Sequence, residues 1–173
     1  YVTTSGVINA ENGKEVVITM KAEETQTPPA TEKVTVTINA TPADATVTIN
    51  GQTVSTLEVE KGTDVTWSVE KEGYTTQQGT YPAIAEDKTE TITLVGEDRT
   101  VTFSVSGYKA DTTPTITVGE QEITGTTTTA KVGDVISWKV TGTKDDDSSA
   151  EKSGEFTVVA EENNNTITVN LAD

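Results

Sequence analysis

The stretch KVTVTINATPADATVTING, residues 33–51, decides the fold. Val34 and Val36 alternate with threonines, and a second alternating run leads into Asn50-Gly51. A period of two between apolar and polar residues predicts a β-strand with one buried face. An Asn-Gly pair at the end of such a run predicts a tight hairpin, because both central residues of that turn need a positive φ. The stretch therefore predicts consecutive strands joined by short turns.

The same pattern returns further along the chain. RTVTFSVSGYKADTTPTITVG (99–119) parallels residues 33–51, and KVGDVISWKV (131–140) parallels KGTDVTWSV (61–69). A third element, a Ser-Gly or Gln-Gly pair followed by a short strand reading VITM, TITL or TITV, occurs three times. Self-similarity at a fixed spacing is typical of repeated structural units.

These repeats predict the domain organisation. We expect the C-terminal part of one module over residues 1–24, a Pro-containing linker over 25–31, and complete modules over 32–98 and 99–173. Since the sequence starts inside a module, further copies are expected upstream in the parent chain. The last two modules meet with almost no linker, so we expect them to be stiffly coupled.

The predicted fold class is all-β, with tandem immunoglobulin-like β-sandwich modules of about six short antiparallel strands each. Trp67 and Trp138, one in each complete module, are expected to anchor the two cores. Gly62 and Gly133 follow Lys61 and Val132 in sequences that predict further hairpin turns.

Composition argues against several kinds of function. The net charge is −16, from 12 basic and 28 acidic residues, and such a surface repels phosphate backbones and anionic lipid. We therefore expect no nucleic-acid partner, and the sequence has no apolar run long enough for membrane insertion. Cysteine and histidine are both absent, which removes thiolate nucleophiles and the commonest general base. No enzyme activity and no cofactor are predicted.

The first complete module resembles the PEGA family of surface-protein repeats. The resemblance rests on PADATVTING (42–51), on Gly62 and on Gly73-Tyr74. More broadly, the module is similar to immunoglobulin-like modules of bacterial and phage tail, head-fibre and adhesin proteins. The second module departs from the pattern, since Lys144-Asp145 stands where the first has Gly73-Tyr74. The resemblance implies an extracellular spacer or display module on a virion or bacterial cell surface, and it supplies no catalytic residues.

The predicted function is a non-catalytic structural segment, in a phage virion fibre or decoration protein or in a bacterial surface protein. Its expected partners are further modules of the same parent chain, and a homo-oligomer or a larger assembly stays open. One alternative is a filament subunit completed by strand exchange. Another is a carbohydrate-binding adhesin module, in which Tyr74, Tyr81 and Tyr108 stack on sugar rings; we expect these tyrosines to cover the cores instead.

Two polar segments have competing interpretations. Asp145, Asp146 and Asp147 offer the oxygen ligands that Ca²⁺ prefers. The spacing does not fit an EF-hand loop, and we expect a solvated hairpin tip with no bound metal. The threonine run 126–129 predicts either an ordinary exposed strand or a sheet edge that can pair with another chain.

Overall fold

The chain divides into two units, Tyr1–Thr31 and Glu32–Asp173. The structure, a computed structural model, describes residues 31–172. The partial module expected over 1–24 and nearly all of the linker expected over 25–31 therefore lie outside the described residues.

Residues 33–96 form a set of strands that we call the first sheet pair. It comprises β1 (Lys33–Thr41), β2 (Thr46–Ile49), β3 (Gln52–Thr53), β4 (Thr56–Glu60), β5 (Val65–Glu70), β6 (Tyr74–Thr75), β7 (Gln77–Tyr81), β8 (Lys88–Thr93) and β9 (Val95–Gly96). One sheet has three strands in the order β4-β1-β8, and the other has four in the order β3-β2-β5-β7. Strands β6 and β9 form a separate two-stranded ribbon.

Residues 98–170 form the second sheet pair, which repeats this topology. It comprises β10 (Asp98–Ser106), β11 (Thr115–Val118), β12 (Gln121–Ile123), β13 (Thr127–Lys131), β14 (Val135–Thr143), β15 (Ser149–Thr157) and β16 (Thr166–Asn170). Its three-stranded sheet has the order β13-β10-β16, and its four-stranded sheet has the order β12-β11-β14-β15. Each strand takes the place of its counterpart in the first pair.

The two repeats keep the same register at their tryptophans. Trp67 lies opposite Ile49 in the first pair, and Trp138 lies opposite Val118 in the second. On the other side, Trp67 faces Gly79 and Trp138 faces Gly154. The repetition seen in the sequence thus corresponds to a repeated pairing of the strands.

Each sheet pair has its own core, because alternate residues of its two sheets point toward one another. The first core contains the buried residues Val34, Val36, Ile38, Val47, Ile49, Val59, Val65, Val69, Ile84, Ile92 and Leu94. The second contains Val101, Phe103, Ile116, Val140, Ala150, Val158, Ile167, Val169 and Leu171. Both cores consist mainly of aliphatic side chains, in line with the low aromatic content of 5%.

The expectation of about six antiparallel strands per module is corrected in two respects. Seven strands make up the two sheets of each pair in the described region. The outer strand β8 runs parallel to β1, and β16 runs parallel to β10. Alternation along one strand reports which face is buried and carries no information on the direction of its neighbour, so the sequence could not show this pairing. The all-β class itself is confirmed, since the described region contains no α-helix.

Among the described residues, no helix has the length and apolar character that crossing a bilayer requires.

Candidate functional site

The place where the two sheet pairs meet is the candidate functional site, which we call the junction. It is formed by the Gly73-Tyr74 turn, the connector through Gly96 and Glu97, the Val132-Gly133 turn, and Ala160. Gly73 enters the short strand β6, and Gly96 ends its partner β9. Val132 lies between β13 and β14, so that turns and strand ends of both pairs converge here.

A single residue of the connector is hydrogen-bonded to both sheet pairs. The amide of Glu97 donates to the carbonyl oxygen of Gly73 over 2.8 Å, and its own carbonyl accepts from the amide of Val132 over 2.9 Å. β9 ends at Gly96 and β10 begins at Asp98. The connector therefore has no unbonded segment that could act as a free linker.

Glycines let the two backbones approach closely at the junction. A Cβ atom added to Gly73 would lie 2.7 Å from the Cβ of Ala160 and 3.2 Å from the Cγ1 of Val132. A Cβ on Gly96 would overlap the carbonyl group of Val132. Val132 is only 6% exposed although it belongs to neither core cluster. Its side chain is therefore buried by the contact between the sheet pairs.

Tyr74 extends the contact from the first sheet pair to the second. A Cβ atom on Gly133 would collide with the hydroxyl oxygen of Tyr74, and Gly133 has a φ of +92° that also favours glycine. The Nζ of Lys71 lies 5.6 Å from the centroid of the Tyr74 ring and forms an ion pair with Asp44. These contacts hold the ring against the Gly133 turn.

Arg99 adds directional bonds on the side of the second sheet pair. Its Nε donates to the carbonyl of Ala160 over 2.8 Å, and its Nη1 donates to the carbonyl of Asp98 over 3.0 Å. Its Nη2 forms an ion pair with the Glu97 carboxylate over 3.0 Å, with the Arg99 side chain 18% exposed. The planar guanidinium thus ties Glu97 of the connector to the loop that carries Ala160.

The turn equivalent to Val132-Gly133 in the first sheet pair is built differently. Gly62 and Gly133 both have a positive φ, and their amides donate to the carbonyls of Ile84 and Val158, respectively. The residue before the glycine is Lys61 in the first turn and Val132 in the second. Lys61 is exposed and forms an ion pair with Glu32 over 2.7 Å. An apolar residue is present in the turn that is buried and a charged residue in the turn that is exposed.

The ion pair of Lys61 with Glu32 also shifts both titrations. The hydrogen bond and the positive charge of Lys61 lower the pKa of Glu32 below its ordinary value. The same hydrogen bond and the negative charge of Glu32 raise the pKa of Lys61. Both groups are exposed, so solvent screening leaves little net stabilisation from the pair.

Trp67 and Trp138 pack at the border of their respective cores and are partly buried. Each ring covers the glycine opposite to it, since a Cβ on Gly79 would lie 2.7 Å from Cζ2 of Trp67 and a Cβ on Gly154 2.9 Å from Cζ2 of Trp138. Trp67 also stacks on Tyr81 at 6.0 Å between centroids. The two tryptophans lie in separate cores and form no common site.

Asn50 and Gly51 form the two-residue turn between β2 and β3, with φ values of 48° and 76°. The side-chain oxygen of Asn50 accepts from the amide of Thr66 over 2.9 Å and so ties the hairpin to the neighbouring strand β5. Gly62 lies in the turn between β4 and β5, with open space around its Cα. These residues shape turns of the first sheet pair.

Asp145, Asp146 and Asp147 lie at the tip of the hairpin that joins β14 to β15. Asp146 accepts from the amide of Ser148, and the hydrogen bonds from Ser148 lower the pKa of Asp146. Asp147 pairs with Lys109 over 2.5 Å. Among the residues that the structure describes, no group of acidic side chains has the arrangement of a metal site.

The three tyrosines that the carbohydrate hypothesis requires are not gathered at one place. Tyr74 lies at the junction, Tyr108 packs against the second core, and Tyr81 packs on the first core beside Trp67. The hydroxyl of Tyr81 donates to Glu90 over 2.7 Å, and the Nζ of Lys88 lies 4.6 Å from the centroid of its ring. No aromatic platform results from these positions.

Several junction residues were not singled out from the sequence, namely Val132, Ala160, Gly96 and Arg99. Only the exchange of KG in the first repeat for VG in the second marked Val132 as unusual for an exposed turn. Ala160 and Arg99 carry no local signal, because their role depends on which turn of the other sheet pair reaches them.

The described residues form an all-β fold in which two sheet pairs with the same strand order are joined directly at the junction. Residues 33–95 match the sequence model of a family described as "Head fiber dimeric protein-like domain". The match begins at β1 and ends within β9, so it covers the first sheet pair.

A curated relative gives a similar result. Over 65 residues the chain is 52% identical to the head fiber dimeric protein of Bacteroides phage crAss001. The aligned part is 38% of this chain and 52% of the relative, so the chain spans about half the length of the curated relative it matches. These similarities indicate a domain of the phage head-fibre type; the resemblance to PEGA repeats stays a prediction.

Proposed function

We propose that this chain is a non-catalytic structural segment of a phage virion fibre, in which the junction fixes the orientation of two successive modules. The observation that carries the proposal is the 52% identity to a phage head-fibre protein over 65 residues. The family model matches residues 33–95, which span the first sheet pair, so that similarity concerns a complete structural unit.

The proposed modules correspond to residues 32–98 and 99–173, each an immunoglobulin-like sandwich. Two features support this division: the identical strand order in both sheet pairs and the separate hydrophobic cores. In a fibre, such modules set the distance between a capsid and whatever the fibre presents. The relative's name describes a dimeric protein, and we propose a dimeric or larger virion assembly for this chain as well.

The junction explains how a module string can keep a defined direction. Inter-domain contacts within a chain are usually mobile unless the interface is tightly packed. Here Glu97 is hydrogen-bonded on both sides, Val132 is buried, and Gly73 and Gly96 permit contacts too close for any side chain. Bending at Glu97 would break these contacts together.

The acidic surface is consistent with an exposed location on a particle. Copies with a net charge of −16 repel one another in solution. Repulsion of this kind limits edge-to-edge association between the many copies that a virion carries. A bacterial surface stalk would use the same properties, so the location of the chain distinguishes the two interpretations.

The deciding experiment is immunogold electron microscopy of the native source with antibody raised against residues 31–173. We expect gold label on phage particles, at a constant distance from the capsid. Antibody absorbed with the purified chain serves as the control and should leave the particles unlabelled. Label confined to cell envelopes or to thin filaments would contradict the virion proposal.

A further inference from the structure

Strand β16, an edge strand of the second sheet pair, carries no charged side chain. Among the described strands β16 pairs only with β10, and its sequence TITVN contains no charged residue. Ile167 and Val169 are buried in the core, while Thr166 and Thr168 are exposed. High β propensity without charge is the composition of an edge that can accept another strand.

The backbone groups at this edge can be assigned from the flanking hydrogen bonds. The amide of Thr102 donates to the carbonyl of Asn165 over 2.9 Å, and the amide of Leu171 donates to the carbonyl of Ser106 over 2.8 Å. Bonding to one neighbour alternates along a parallel strand. The odd-numbered residues of β16 are therefore bonded to β10, and the amide and carbonyl of Thr166 and Thr168 point away from the sheet.

The equivalent edge of the first sheet pair is protected. Lys88 and Glu90 lie on the inner face of β8, since they are in register with Val36 and Ile38. Charges on the inner face of an edge strand oppose further pairing. In addition, the side-chain amide of Gln77 donates to the carbonyl of Thr93 over 3.2 Å.

At the equivalent positions, β16 has no charged residues. Its register with β10 places Ile167 where β8 has Glu90, and Asn165 where β8 has Lys88. Asn165 is 1% exposed, and its amide bonds the backbone of Val159 and Glu161 instead of facing the edge. The two edges therefore differ in charge while sharing one topology.

We propose that β16 pairs with β16 of a second copy of this chain, antiparallel and centred on Thr168. In this register Ile167 lies opposite Val169 of the second copy, and Thr168 lies opposite its own counterpart. Residues directly opposite one another share a face, so both cores continue across the contact. The two three-stranded sheets become one sheet of six strands.

Electrostatics favours a second copy at this edge over other positions. Two chains of charge −16 repel at most points of their surfaces. The outer face next to β16 is formed by uncharged side chains, including Thr102, Ser104, Thr166 and Thr168. The opposite edge of the same sheet, β13, ends at Lys131. The pairing rests on the dimeric assembly proposed above and assigns it an interface, but it does not require the chain to be part of a virion.

The first test compares two substitutions at Thr168 in the full chain. Thr168→Pro removes the outward amide, which forms no bond within the sheet, whereas Thr168→Val keeps the amide and the β-branched shape. Sedimentation equilibrium should show a dimer for the unsubstituted chain and for Thr168→Val. Thr168→Pro should weaken the dimer by about thirtyfold, because a symmetric pair of hydrogen bonds is lost. Circular dichroism should show the same strand content in all three proteins.

A cysteine crosslink tests the register and does not depend on the proline variant folding. The chain has no cysteine, so Thr168→Cys introduces a single thiol next to its counterpart, within the Cα separation of about 4.4–6.8 Å that a disulfide spans. Ser104→Cys, on the same face one strand inward, is the matched control. Mild oxidation should crosslink Thr168→Cys into covalent dimers that denaturing, non-reducing electrophoresis detects, and should leave Ser104→Cys without a crosslink.

Any of four results would overturn the proposal. The unsubstituted chain could remain monomeric at millimolar concentration, Ser104→Cys could crosslink as readily as Thr168→Cys, or Thr168→Pro could dimerise as tightly as Thr168→Val. Polymers that grow with concentration, instead of dimers, would also reject the symmetric pairing, because a closed two-fold contact cannot propagate.

Discussion

At the scale of single residues, the junction depends on Val132, which is buried without belonging to either core. The equivalent residue of the other repeat is a lysine in the same type of turn. The turn itself therefore accepts either side chain, and the requirement for valine comes from the contact with Gly73 and Gly96.

Val132→Lys should uncouple the two sheet pairs without unfolding either of them. A lysine cannot bury its ammonium group in this contact, so the junction should open more often. Residual dipolar couplings should then require separate alignment tensors for residues 33–93 and residues 98–170. Hydrogen exchange of the backbone amide at position 132 should also become about tenfold faster or more. Val132→Ile is the control and should retain a single tensor. One shared tensor in the lysine variant would contradict the assignment of the junction.

The tight contact between Trp67 and Gly79 yields a second prediction. Gly79→Ala should cost about 1–3 kcal/mol of unfolding free energy, because the new methyl group overlaps the indole ring. In combination with Trp67→Phe, which removes the overlapping part of the ring, the same alanine should cost much less. Urea unfolding of the two single variants and the double variant measures this coupling. Strictly additive effects would show that the contact is not tight in solution.

At the scale of elements, Tyr81 on β7 and Glu90 on β8 connect the edges of the two sheets in the first pair. The hydrogen bond from Tyr81, followed by that from Lys88, lowers the pKa of Glu90 below its ordinary value of 4.5. Burial and the bond to Glu90 raise the pKa of Tyr81. In the second sheet pair the corresponding edge positions are apolar. Phe156, in register with Ile136, takes the place of Tyr81, and Ile167, in register with Phe103, takes the place of Glu90.

The Glu90 carboxylate makes the first sheet pair sensitive to acid. Because the folded-state pKa is lowered, the stabilisation is present above pH 4.5 and is lost as the pH falls through the lowered value. Glu90→Gln can still accept from Tyr81 but does not titrate, so its stability should fall less than that of the parent chain between pH 6 and pH 3. Urea unfolding at both pH values measures the difference. Equal losses of unfolding free energy in the two proteins would show that Glu90 does not cause the acid sensitivity.

Much of the element structure could be predicted from the sequence. Alternation in residues 33–41 and the Asn50-Gly51 turn correspond to β1 and to the β2–β3 hairpin. These signals are local, because side-chain alternation and turn geometry involve neighbouring residues. The parallel pairing of β1 with β8 connects residues about fifty positions apart, and no local pattern encodes such a contact.

The junction shows the same division between local and distant signals. Gly73, Tyr74 and Gly133 were singled out from the sequence as turn or motif residues, and the structure brings all three to one contact. Their meeting could not be inferred, because it depends on how the end of one sheet pair is placed on the start of the next. The residues that complete the contact, Val132 and Ala160, lie in turns whose burial only the assembled fold reveals.

At the scale of the whole molecule, the excess of acidic residues opposes compact folding. With 28 acidic and 12 basic residues, like charges lie close together on the surface. Screening shortens the range of this repulsion from about 30 Å at 0.01 M salt to about 8 Å at 0.15 M. Added salt should therefore stabilise the chain.

Thermal unfolding in increasing sodium chloride tests this prediction. The Tm should rise between low and physiological ionic strength, because the repulsion within the folded state weakens. Glycerol at matched osmolality is not an electrolyte and controls for solvent effects that are unrelated to charge. A Tm that falls over this range would mean that the surface ion pairs, such as Lys61–Glu32, outweigh the general repulsion.

The parallel pairing of the first and last long strands determines how each repeat would respond to mechanical load. The chain enters at the start of β1 and leaves at the far end of β8, so tension applied along the backbone slides these two strands past one another. Six residue pairs, from Val36–Lys88 to Thr41–Thr93, then carry the force simultaneously. A hairpin pulled apart from its open end would break its bonds one after another. The first repeat can thus resist stretching with all the bonds of the β1–β8 ladder, and the five residue pairs between β10 and β16 are loaded in the same way in the second.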